Sequence, residues 1–177
     1  GDVNGDGLGD LIIGGANADP NGESNAGESY VVFGKTNGTA VELSEVATGP
    51  GGFVINGIDA DDRSGYPVSN AGDVNGDGLD DLIIGAYTAD PNDKSNAGES
   101  YVVFGKADGT AVELLDVAAG TGGFVINGGD NNDYSGVSAS NAGDVNGDGL
   151  DDLIVGASGA DPNGNSDAGE SYVVFGK

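Results

Sequence analysis

The chain contains no cysteine, histidine, methionine or tryptophan. It therefore has no disulfides, no thiolate or imidazole metal ligands, and neither the Cys–His nor the Ser–His pair of nucleophilic catalysis. Basic residues are also scarce, with five against thirty acidic residues and a net charge of −25. That balance argues against nucleic acid as a partner, because binding to phosphates needs a basic surface. No apolar run approaches the roughly 18 residues that mark a membrane-spanning helix, so we expect no membrane span.

Aspartate, asparagine and glycine, in contrast, recur at fixed positions. The nine-residue pattern Asp-Val-Asn-Gly-Asp-Gly-Leu-X-Asp occurs three times, at residues 2–10, 73–81 and 144–152, and successive copies lie 71 residues apart. We call these segments loop one, loop two and loop three. Glycine at position six suits the sharp turn that the chain must make between two metal ligands, where a positive φ is expected.

Each loop places oxygen atoms at the spacing of a calcium site. Positions one, three, five and nine carry carboxylate or amide oxygens, and the leucine at position seven offers its backbone carbonyl while its side chain is free to point into a core. Ca²⁺ takes six to eight oxygen ligands, so we predict about three Ca²⁺, one per repeat. The candidate ligands are Asp2, Asn4, Asp6, Leu8, Asp10, Asp73, Asn75, Asp77, Leu79, Asp81, Asp144, Asn146, Asp148, Leu150 and Asp152.

The loops differ from an EF-hand, which has a bidentate glutamate at position twelve and helices on both sides. Position twelve here is Ile13, Ile84 or Val155, within a short strand-like run. Two alternatives stay open. The pattern is also compatible with a metal-free Asp/Asn/Gly turn, and Mg²⁺ is a weaker candidate because it demands octahedral geometry and keeps its waters.

The chain is a tandem repeat of two and a half units: residues 1–71, 72–142 and 143–177. The first two units align without gaps and differ at 19 of 71 positions, which indicates duplication of one shape. Within a unit we predict four strands, in the second unit near 64–74, 81–85, 99–105 and 122–128, and a strand extension with a short helical turn at 110–118. Four short strands per unit favour all-β, propeller-type blades of four antiparallel strands over a parallel β-helix, whose coils are much shorter.

The units resemble FG-GAP repeats, the blades of the integrin alpha-chain β-propeller and of many bacterial surface proteins with tandem calcium-binding repeats. The resemblance rests on the calcium loop, on a Phe-Gly element and on a degenerate Gly-Ala-Pro element. The Phe-Gly elements are Phe33-Gly34, Phe104-Gly105 and Phe175-Gly176. The degenerate elements are Gly14-Gly15-Ala16, Gly85-Ala86-Tyr87 and Gly156-Ala157-Ser158.

The resemblance implies that each calcium loop joins strand one to strand two of a blade. Residues 1–63 would then be a partial blade with strands two to four, residues 64–134 a complete blade, and residues 135–177 a partial blade with strands one to three. A propeller typically closes with four to eight blades, so the ring is incomplete in this chain. The remaining alternatives are a longer array, self-assembly into a ring or fibre, and an open monomer.

Two smaller expectations concern the connecting loops. Gly9 replaces the aspartate found at positions 80 and 151, which removes a nearby charge, so we predict that loop one binds Ca²⁺ more weakly than loop two. Strand alternation puts the calcium loops on one face and the second loops on the other. The second loops contain Asp19-Pro20-Asn21 and its two counterparts, which we interpret as Asx-type turns; the alternative is that these loops hold further cations or a ligand.

Together these patterns predict a calcium-stabilised extracellular or cell-surface module for adhesion, matrix or surface-layer and fibre assembly. Its expected partners are further copies or further repeats of the same protein. The alternatives are a propeller that binds a glycan or protein ligand and an accessory domain of a secreted hydrolase. We expect no catalysis by this chain, because every cluster of aspartates recurs in each unit rather than forming one unique site.

Overall fold

The computed structural model describes all 177 residues, and the chain is mostly β. The strands are β1 (Leu11–Gly15), β2 (Glu28–Val32), β3 (Gly52–Asn56), β4 (Val68–Gly72), β5 (Asp81–Ala86), β6 (Glu99–Val103), β7 (Val112–Glu113), β8 (Gly123–Asn127), β9 (Ser135–Gly143), β10 (Asp152–Ala157) and β11 (Glu170–Val174). Two short helices are α1 (Leu43–Val46) and α2 (Leu114–Ala118). No helix is both long and apolar enough to cross a membrane.

The strands form three small sheets, with the orders β1-β2-β3-β7, β4-β5-β6-β8 and β9-β10-β11. All pairs are antiparallel except β3 with β7. The predicted blade-type, all-β architecture without a closed ring is therefore confirmed. The extension and helical turn predicted at 110–118 are also present, as β7 and α2.

The apolar cores lie between the sheets rather than within any one of them. One cluster joins residues of the first sheet, such as Val31 and Phe53, to Ile84 and Tyr101 of the second. The other joins Ile83 and Val102 of the second sheet to Leu153 and Val155 of the third. Because neighbouring strand residues face opposite sides, β5 contributes to both cores and is buried along its whole length.

The outer faces of the first and third sheets lack such a cover. Leu11 and Ile13 are 64% and 41% exposed, whereas their counterparts Leu82 and Ile84 in the second sheet are 3% and 0% exposed. At the other end, Ile154 is 39% exposed, whereas its counterpart Ile83 is fully buried. Three sheets stacked in this way leave two uncovered apolar faces and no closed ring.

Candidate metal centres

The backbone of each loop is folded around the carboxylate at position one. In loop one, Asp2 Oδ1 accepts hydrogen bonds from the N–H groups of Gly5 (2.9 Å) and Asp6 (3.1 Å), and Asp2 Oδ2 accepts one from Gly7 (2.9 Å). Loops two and three repeat the same three bonds. The glycines at positions four and six all have positive φ, which explains why these positions are glycine.

Positions three and five continue this network. Asn4 Oδ1 accepts the Asp6 N–H at 2.8 Å, and Asn4 Nδ2 donates to Asp6 Oδ2 at 3.2 Å. Asp6 Oδ1 accepts the Leu8 N–H at 2.8 Å. Counterparts of these bonds occur in the other two loops. The side-chain oxygens of positions one, three and five are thus held by hydrogen bonds to backbone N–H groups of their own loop.

The carboxylate at position nine anchors the loop to the end of a strand. Asp10 Oδ2 accepts the Val3 N–H at 2.9 Å, and Asp10 Oδ1 accepts the Gly34 N–H at 2.8 Å. Asp81 and Asp152 make the same two bonds and are fully buried. Gly34 belongs to the Phe-Gly element, and a Cβ there would lie 2.6 Å from the Gly9 carbonyl oxygen. This role of the glycine was not predicted, although the constant separation of 24 residues between aspartate and glycine is visible in the sequence.

No basic side chain offsets the loop carboxylates. The ion pairs of the chain are Lys94–Asp130 and Lys106–Asp108, both outside the loops. In loop two, burial raises the pKa of Asp81 to about 6, opposed by the hydrogen bonds from Gly105 and Val74 and increased by the negative charges of Asp77 and Asp73. Like charges are therefore concentrated within the loop, which favours a bound cation.

The donor set of each loop fits a hard divalent cation in its chemistry, because it consists entirely of carboxylate, amide and carbonyl oxygens. A carboxylate oxygen has two lone pairs, so Asp2 Oδ2, which accepts one N–H, retains a position for another partner, whereas Asp2 Oδ1 already accepts two. In the structure, no three acidic side chains lie close enough together to hold a metal ion. The residues that would hold Ca²⁺ remain the fifteen candidates named from the sequence.

Neighbouring loops are in direct contact. Asp2 N–H donates to Asp80 Oδ2 at 2.6 Å, and Asp80 N–H donates to the Asp2 carbonyl oxygen at 3.1 Å. Asp73 and Asp151 make the same reciprocal pair, at 3.0 and 3.1 Å, between loops two and three. We call these two contacts the inter-loop pairs. They place the loops in a row.

The leucine at position seven takes part in the same contact, and none of the three leucines joins either apolar core. A Cβ at Gly5 would lie 2.9 Å from Leu79 Cδ2, and one at Gly76 would lie 3.0 Å from Leu150 Cδ2. Leu8 has no such neighbour and is 36% exposed. The leucine packs on the preceding loop because position four of that loop is a glycine, which has no side chain to obstruct it.

Each second loop is closed by its aspartate across six residues, so the predicted Asx-type turn does not form at these aspartates. Asp19 Oδ1 accepts the Asn25 N–H at 2.7 Å, and Asp90 and Asp161 bond in the same way at 2.6 and 2.7 Å. Where the first and second units meet on this side, the region is acidic. Burial raises the pKa of Asp62 to about 7, assisted by the charges of Asp59 and Glu99. Burial also raises the pKa of Glu99, whose carboxylate accepts a hydrogen bond from the Tyr101 hydroxyl.

Comparison with known proteins agrees with this architecture. The FG-GAP repeat family model matches residues 65–103 and 135–174. Phosphatidylinositol-glycan-specific phospholipase D of Bos taurus is 29% identical over 166 residues, which cover 88% of this chain and 17% of that protein. Integrin alpha pat-2 is 33% identical over 123 residues in Caenorhabditis briggsae and 37% over 114 residues in Caenorhabditis elegans, in each case 62% of this chain and 9% of the integrin.

Residues 65–103 and 135–174 are therefore FG-GAP repeats, and the chain is similar to the integrin alpha chains just named. It spans less than a fifth of the length of these relatives.

Proposed function

We propose that the chain is a calcium-stabilised extracellular repeat module for adhesion, matrix or surface-layer and fibre assembly. The observation that carries this proposal is the loop of oxygen donors, folded by the same hydrogen bonds in all three units and compensated by no basic residue. Binding of about three Ca²⁺, one per repeat, would offset part of the charge of −25 and stabilise the fold. The ligands would be the fifteen loop residues already named.

Further copies or further repeats of the same protein are the proposed partners. The exposed apolar faces around Leu11 and Ile154 have the pattern of residues that the middle sheet buries against its neighbours. The integrin names of two relatives support a role in adhesion. We place the module outside the cell or on its surface, because loops with this many carboxylates suit a calcium-rich environment. We also propose that the chain is not itself an enzyme, and that it binds neither nucleic acid nor the membrane interior.

The test combines thermal unfolding with particle mass, each measured in millimolar Ca²⁺ and in excess chelator. When the free Ca²⁺ concentration is a hundred times the Kd, one site adds about 2.7 kcal/mol to the free energy of unfolding. The midpoint temperature of thermal unfolding should therefore fall clearly in chelator. A D6N/D77N/D148N variant should lose this response. An E45Q/D93N/D116N variant, with the same change in net charge outside the loops, should keep it. Equal stability with and without calcium would contradict the proposal.

Particle mass distinguishes the forms of assembly. A defined oligomer or fibre that dissociates in chelator would mean that calcium organises self-association. A monomer in calcium would mean that the module acts within a larger array.

A ligand-binding propeller or an accessory domain of a secreted hydrolase is the second candidate. Two observations favour it: the bovine relative is named as a phospholipase, and a cavity of about 820 Å³ lies beside loop one, lined by Asn4, Phe33 and Val41 among others. Specific binding on a glycan array would support this candidate. Loss of polysaccharide turnover in a D90N/D161N variant would instead indicate catalysis.

A further inference from the structure

We propose that Asp80 and Asp151 are positioning residues that couple neighbouring cation loops, so that Ca²⁺ binding at one loop raises the affinity of the loop before it. This inference rests on the proposed calcium function. Both residues occupy position eight, the X of the loop pattern, which supplies none of the candidate ligands.

The coupling follows from where the inter-loop pairs attach. Asp151 lies between Leu150 and Asp152, two candidate ligands of loop three, yet its carboxylate and N–H bond the backbone of Asp73, the first candidate ligand of loop two. Of the two residues in this inter-loop pair, Asp151 belongs to loop three and Asp73 belongs to loop two. Asp80 makes the same connection between loop two and Asp2 of loop one.

Asp151 lies so close to the backbone of the preceding loop that the residue before Asp73 must be glycine. A Cβ at Gly72, the residue before Asp73, would lie 2.1 Å from Asp151 Oδ2. Gly143, the equivalent residue before loop three, would meet nothing within 4 Å, because no loop follows it in this chain. Asp144 is correspondingly exposed, whereas Asp2 and Asp73 are half-buried. Only a loop with a following neighbour therefore has its first ligand held from outside.

Physically, a cation that orders loop three holds Asp151 in place, and Asp151 then holds the backbone of Asp73. Part of the conformational entropy that loop two must lose on binding is already lost, so its own Ca²⁺ binds more tightly. The reverse effect on loop three is equal by thermodynamic linkage.

This geometry gives position eight a different role from the one inferred for Gly9. The aspartate at this position bonds the preceding loop rather than its own, so the missing carboxylate at Gly9 leaves the hydrogen bonds within loop one unchanged. A Cβ at Gly9 would meet nothing within 4 Å, so Gly9→Asp is a direct comparison. If position eight acts on its neighbour, G9D changes the affinity of loop one little. If it acts on its own loop, G9D tightens loop one.

The experiment is a CaCl₂ titration of the 177-residue chain followed by amide NMR. The N–H groups of Gly7, Gly78 and Gly149 each donate to the first aspartate of their own loop, so they report on the three loops separately. The variants are D151A, D151N, G9D and D116N. Asp116 is an exposed residue of α2 with no side-chain hydrogen bond, and D116N supplies the control for loss of one charge.

We expect D151A to weaken Ca²⁺ binding at loop two about fivefold or more, the lower range of typical allosteric coupling. D151N retains one acceptor oxygen and should lie between D151A and the parent. In chelator, hydrogen exchange at the Asp73 amide should accelerate in D151A and not in D116N. If D151A does not fold, D151N carries the same comparison.

Two results would overturn the inference: an effect of D151A on loop two no larger than that of D116N, or a G9D variant whose loop one binds clearly more tightly. Both are distinguishable from failure of the proposed function, in which none of the three glycine signals responds to Ca²⁺ in the parent chain.

Discussion

At the residue scale, the glycines that precede loops two and three, Gly72 and Gly143, differ in how closely a neighbouring unit approaches them. Gly72 and Gly143 have almost the same backbone conformation, with φ of +73° and +71°, so an L-residue is strained equally at both. Their surroundings differ, because only Gly72 faces the carboxylate of Asp151. The two positions therefore separate backbone strain from inter-unit packing.

We predict that Gly143→Ala lowers the free energy of unfolding by about 1–2 kcal/mol, the cost of a left-handed alanine. Gly72→Ala should cost about 1–3 kcal/mol more, because the new methyl group must displace the side chains of Asp151 and Asn141. Urea unfolding of both variants in excess chelator measures the difference without a contribution from bound cations. Equal losses would mean that Asp151 and Asn141 move aside without a measurable change in the free energy of unfolding.

At the element scale, the unusual feature is β7, which leaves its own unit and adds in parallel to β3 of the first sheet. Glu113 secures this addition: its Oε1 accepts from Asn56 Nδ2 at 2.7 Å and its Oε2 from Asn21 Nδ2 at 3.2 Å. Glu42 is the equivalent residue of the first unit, is exposed, and accepts no side-chain hydrogen bond. The same sequence element thus forms a strand only where a preceding sheet offers an edge.

We predict that Glu113→Ala destabilises the chain by about 1 kcal/mol, the typical net value of a hydrogen bond. Faster hydrogen exchange in the β3 residues Ile55 and Asn56 should accompany it. Glu42→Ala is the matched control and should alter neither quantity. If exchange at β3 stays unchanged in E113A, the backbone pairing alone holds β7.

At the scale of the whole molecule, negative charge opposes the packing of unit on unit. Asp62 illustrates this, because burial and the charges of Asp59 and Glu99 raise its pKa from 3.8 to about 7. Between these two values the folded chain binds a proton that the unfolded chain releases. The contribution of Asp62 to the free energy of unfolding is therefore present at low pH and is lost as pH rises through that interval.

We predict that Asp62→Asn stabilises the chain at pH values near 8 and has little effect near pH 3, below the unfolded pKa of 3.8, where the carboxyl is mostly protonated in both states. The measurement is urea unfolding across this range, in chelator. Asp61→Asn is the control, since Asp61 is an exposed neighbour with the same charge. A D62N effect that does not vary with pH would contradict the raised pKa.

Much of the architecture could be predicted from sequence, because it depends on local patterns. Short continuous apolar runs such as Leu82–Ile84 determine the strands, and the constant 71-residue spacing makes every unit the same shape. The oxygen donors of the loops and the glycines that permit their turns are likewise local. The resemblance to FG-GAP repeats follows from these short motifs.

Only the tertiary structure decided what links the units, because those contacts join residues that are distant in sequence. It gave Asp80 and Asp151 partners 78 residues earlier in the chain, and it placed β7 on a sheet of the preceding unit. It also put both apolar cores between sheets. A repeat pattern specifies one unit, whereas the packing of one unit on the next depends on geometry that no single repeat contains.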